Sequence, residues 1–185
     1  HTRYISVTGV QTCALPICLN TTKKLEMLSK EKGLPVDKHI DVWEDKQTST
    51  FKLIPTAPYN EFVVFIMAVL KKKGWKIAVA SNSIRETVKI ALDSSGALCY
   101  VDYYVSNEDV FNPKPFPEMY WKCMTKLKAL PKDTIIVEDS HIGREGAINS
   151  GAHLYPVKDA YDLNLSFLDY CDEFQHNNRK KLILN

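Results

Sequence analysis

Apolar positions recur along this chain with two periods, and the alternation between those periods predicts its elements. Over residues 21–33, Leu25, Met27 and Leu28 form a stripe among charged residues, with Thr21 or Thr22 placed to cap a helix and Gly33 to close it. A second helix is predicted from Pro35, which suits a first helical position, to about Gln47. Its apolar residues Val36, Ile40 and Trp43 fall at i, i+4 and i+7, one face that reads as ordinary core packing. Pro55 and Pro58 mark the exit from this helical pair.

Beyond it, helices and strands take turns. A helix is predicted over residues 61–73; its apolar run, Phe62 to Leu70, is too short to span a bilayer and ends in three lysines, so it reads as a core helix. Then follow a strand at 76–80, a helix from Ile84, a strand at 102–105, a helix opening at Phe116, a strand at 134–138, a helix over 143–149 and a strand at 152–157. The consecutive branched residues Ile135, Ile136 and Val137 belong to a strand buried on both faces, as inside a parallel sheet. The alternation predicts a doubly wound α/β fold with right-handed crossovers. We divide the chain into a helical module over 18–57, an α/β core over 58–160, and a polar tail over 161–185 whose role the pattern does not reveal.

Composition narrows the class. With 45% hydrophobic and 25% charged residues the chain is a globular protein, and its 24 basic and 22 acidic residues leave a net charge of +2, which argues against nucleic acid and membrane as partners. Cys13, Cys18, Cys99, Cys123 and Cys171 are odd in number and lack C-x-x-C spacing, so they support neither a zinc site nor a disulfide framework. A reducing, cytoplasmic compartment is the simple expectation.

The amino end is of another kind. Residues 7–17 carry no charge, no helical or strand period, and no signal-peptide pattern. Read back into codons, residues 1–17 resemble a frame through a sequencing-library adapter, its flanking primer and a short index. We expect them to stand outside the fold.

Three strand ends carry candidate chemistry. Ser81 follows the strand 76–80 just before a helix, where a hydroxyl and free backbone N–H groups can hold a phosphate oxygen, with Asn82 beside it. Ser83 and Glu86 read as a capping box for that helix. Lys114 lies between Pro113 and Pro115, which restrict the loop that presents its ammonium. Glu138 and Asp139 end the strand 134–138, a place for a cation or a metal-bound phosphate, although Asp139 or Ser140 can equally cap the next helix. A hydroxyl, one positive charge and an acidic pair at one sheet edge make a phosphate-handling set.

The stretches "IAVASNS", "NPKPFPEMY" and "IIVEDSHIGREGAINSGA" resemble motifs two, three and four of the haloacid dehalogenase superfamily, nearest its β-phosphoglucomutase-like phosphatase branch. The resemblance implies a Rossmann-like core with a partial α-helical cap over 18–57. It implies that Ser81 and Asn82 bind phosphate, that Lys114 stabilises the phosphoryl charge, and that Asp139 with Glu138 binds Mg²⁺. The family's first motif, Asp-x-Asp, supplies the nucleophile and the acid/base, and it is absent here; the core is expected to lack its first strand. The expected function is a Mg²⁺-dependent phosphatase of a small phosphorylated metabolite in the parent protein, inactive in this chain. A sugar-phosphate mutase and a non-catalytic phosphate-binding or interaction module are the alternatives.

Overall fold

The structure, a computed structural model, describes Tyr4–Ile5 and residues 21–183. The helices are α1 (Thr21–Lys32), α2 (His39–Leu53), α3 (Glu61–Lys72), α4 (Arg85–Ser94), α5 (Glu118–Leu127), α6 (His141–Asn149) and α7 (Leu165–Ile183). The strands are β1 (Tyr4–Ile5), β2 (Ala78–Ala80), β3 (Tyr103–Val105), β4 (Ile135–Glu138) and β5 (His153–Pro156). All paired strands are parallel: β2 with β3, β4 with β5, and β1 with β4 through Tyr4↔Ile136 and Ile5↔Val137. β1 also runs near β2, which sets the β3-β2 pair beside β1-β4-β5. The α/β expectation holds.

Side-chain alternation along the buried strands feeds two cores. Val79, Ile135 and Val137 face α3 and α7; Ala78, Ala80 and Ile136 face α5 and α6. Helices on both faces explain why β4 is apolar at consecutive positions.

The tail whose role the pattern did not reveal carries α7, which inserts Phe167, Leu168, Cys171 and Phe174 into the first core, apolar positions spaced for one helical face within a polar stretch. Two expectations are corrected. The stripe Val36, Ile40 and Trp43 is not core: Val36 and Ile40 are 73% and 68% exposed. The second helix begins later than Pro35, after a 3₁₀ turn at Val36–Lys38, and continues past Gln47. Gln47, not the stripe, is its buried residue.

The place beside β4 that the expected domain division left without a first strand is taken by the backbone of Tyr4–Ile5. Strand pairing is made by main-chain groups, which any extended dipeptide can supply. The rest of the adapter-like stretch lies outside the described residues. Among the described residues no single helix is long and apolar enough to cross a membrane.

Candidate active site

The candidate residues meet at the carboxyl edge of the sheet. Ser81 leaves β2 with its N–H donating to Val105 O (3.0 Å), so the β2–β3 pairing extends one residue past β2. Its hydroxyl oxygen accepts from Ser83 N (3.1 Å), which leaves the hydroxyl hydrogen to donate. The expected Ser83–Glu86 box does not form. Helix α4 starts at Arg85, and Glu108 from the loop after β3 accepts from Arg85 N (2.6 Å). A carboxylate from elsewhere in the chain thus satisfies that helix end.

Asn82 ties two strand ends together. Its Oδ1 accepts from Lys114 N (3.1 Å) and its Nδ2 donates to Lys114 O (3.3 Å), so the amide expected at the phosphate grips the backbone of the lysine loop. The Lys114–Pro115 peptide is cis.

The Lys114 side chain is buried, and its Nζ donates to Glu138 Oε2 at 2.6 Å. The Glu138 side chain is fully buried. Both of its oxygens are engaged: Oε2 meets Lys114 and the Tyr120 hydroxyl (2.9 Å), and Oε1 accepts from Ser140 N (3.2 Å) and Ser140 Oγ (2.7 Å). Burial pushes the Glu138 carboxyl up, but the Lys114 charge and the hydrogen bonds from Lys114 and Ser140 outweigh it and lower the group to about 2. Burial and the Glu138 charge raise Tyr120 well above the ordinary tyrosine value, so it remains a donor. Ser140 caps α6 by accepting from Gly143 N (3.0 Å), as the sequence allowed. Burial likewise raises Cys123 to about 12, which keeps it a thiol without nucleophilic character.

Both Glu138 oxygens thus have protein donors within hydrogen-bond distance. The described residues contain no group of three or more His, Cys, Asp or Glu that could hold a metal ion, so they do not by themselves complete a magnesium site. Asp139, half-buried, directly follows Glu138 at the end of β4. Tyr120 and Gly143 went unnamed in the sequence reading. The available signal was a tyrosine on the apolar face of α5, whose hydroxyl needs a partner when buried.

A sequence model described as haloacid dehalogenase-like hydrolase matches residues 18–157. The chain belongs to that family. It is 28% identical to an uncharacterized Haemophilus influenzae protein over 131 residues, 71% of this chain and 65% of that one. It is 37% identical to the pyrophosphatase PpaX of Bacillus mycoides over 88 residues, 48% of this chain and 41% of that one. The chain thus spans less than two thirds of both relatives. Among solved structures it resembles the β-phosphoglucomutase of Clostridium difficile, with TM-score 0.67 and 16% identity over 86% of this chain and 78% of that one. It also resembles a Deinococcus radiodurans family hydrolase solved with phosphate and sodium, with TM-score 0.56 and 22% identity over 73% of this chain and 59% of that one. These two likenesses concern the fold. Family membership agrees with the three motifs that carried the resemblance.

Proposed function

We propose that this chain carries the phosphate-binding half of a phosphatase acting on a small phosphorylated metabolite in the cytoplasm. The observation that carries the reading is the buried Lys114–Glu138 pair, tied by Asn82 to the strand end where Ser81 offers its hydroxyl. A buried ion pair contributes little net stability, because desolvation offsets attraction; its retention at a sheet edge beside a hydroxyl donor points to a ligand. Ser81 would donate to a phosphoryl oxygen, and Lys114 would place a fixed positive charge where negative charge gathers. Asp139 would be this chain's contribution toward Mg²⁺. The residues present do not complete that site, so no step is assigned to the metal.

Turnover is another matter. No Asp or Glu lies among residues 1–25, so this chain supplies no first-motif carboxylate to become an aspartyl-phosphate. A second reading is a phosphate-binding module without catalysis. The purified chain is expected to bind inorganic phosphate, with amide shifts at residues 81–83 and 114, and to release no phosphate from sugar phosphates or pyrophosphate. Phosphate release abolished by Lys114→Met would establish catalysis and remove the second reading. Amide shifts confined to other regions would remove both.

A further inference from the structure

We propose that Tyr120 and Gly143 are positioning residues for Lys114, acting through Glu138; the role rests on the phosphate reading above. The chain of contacts is short. Lys114 Nζ is aimed by Glu138 Oε2 at 2.6 Å, and the same oxygen takes the Tyr120 hydroxyl at 2.9 Å. That hydroxyl also lies 3.0 Å from Gly143 O, so it stands between the carboxylate and the first turn of α6. The Tyr120 ring forms one wall for the ammonium, with Nζ 5.3 Å from the ring centroid.

Gly143 sets how closely α6 approaches. A Cβ there would sit 2.1 Å from Glu138 Cδ and 2.3 Å from Oε1, inside any contact distance. A side chain at 143 would turn the carboxylate away or lift α6, and α6 brings the Ser140 donors with it. The hydrogen-bond geometry reaches Lys114 only if the carboxylate keeps this one orientation. A tyrosine that merely fills the core would serve as well without its hydroxyl; a positioning tyrosine would not.

The Lys114 ammonium can be observed directly by nitrogen-15 NMR of the full chain, its signal identified by loss in Lys114→Met, with affinity for inorganic phosphate measured alongside. Tyr120→Phe keeps the ring and removes the hydroxyl. The expected result is a shifted or exchange-broadened Lys114 signal in a folded protein and a phosphate Kd raised about tenfold, the size of one hydrogen bond to a charged group. An unchanged ammonium signal overturns the proposal, even where the melting temperature falls. A changed signal in a chain that binds no phosphate, wild type included, supports the positioning role and removes the phosphate reading. Should Tyr120→Phe not fold, 3-fluorotyrosine at position 120, a stronger donor of nearly the same shape, must move the Lys114 signal; an unmoved signal overturns the proposal.

Discussion

Lys114 and Glu138 depend on each other because neither is solvated. Removing the cation in Lys114→Met leaves a buried carboxylate without its counter-charge, and we expect a loss of about 3–5 kcal/mol in chemical denaturation. The double variant Lys114→Met/Glu138→Leu should recover most of that loss, because apolar groups of similar size need no counter-charge. The pH dependence has a definite sign. Glu138 titrates below its ordinary 4.5 in the folded chain, so its contribution is complete above about 4.5 and disappears as pH falls toward about 2. Stability measured from pH 6 down to pH 2.5 should fall more steeply in the wild type than in Glu138→Gln. Residue types were legible in advance here, since Ser81 and Glu138 were named from their places at strand ends and Lys114 from its proline-flanked loop. The partner of each was not, because pairing across 24 residues is a property of packing.

At the scale of elements, burial and periodicity part company in two places. Helix α7 looked like a polar tail because its apolar positions are diluted by exposed polar ones; only the groove beside α3 and β5 turns those positions into core. Phe167 is 1% exposed, and Phe167→Ala should cost about 3–5 kcal/mol, read as a lowered denaturation midpoint. The opposite case is α2. Its apolar face has the spacing of a core helix, yet Ile40 is 68% exposed. Ile40→Lys is accordingly expected to change stability by no more than about 0.5 kcal/mol, which thermal melts of the two proteins would check. The start of α4 teaches the same point: a local capping signal was present, but Glu108 from another loop reaches the helix end instead. Local propensity proposes partners, and tertiary contact chooses among them.

For the molecule as a whole, the phosphate reading makes a prediction by mass action. A ligand that binds only the folded state stabilises it by about 2.7 kcal/mol at a hundredfold excess over its Kd. Inorganic phosphate should raise the melting temperature of this chain, chloride at equal ionic strength should not, and Lys114→Met should abolish the difference. The α/β class, the strand order along the sequence, the three strand ends and the family were all within reach of the sequence, because they rest on local periodicity and on short motifs. Tertiary structure alone decided that Tyr4–Ile5 stands beside β4, that α7 belongs to the core, and that Asn82 grips the backbone of the lysine loop. It also decided that Glu138 is held among Lys114, Tyr120 and Ser140. The physical reason is common to all four. A residue's chemistry is written in its type, but the use of each donor, acceptor and apolar face depends on which distant groups folding brings within reach.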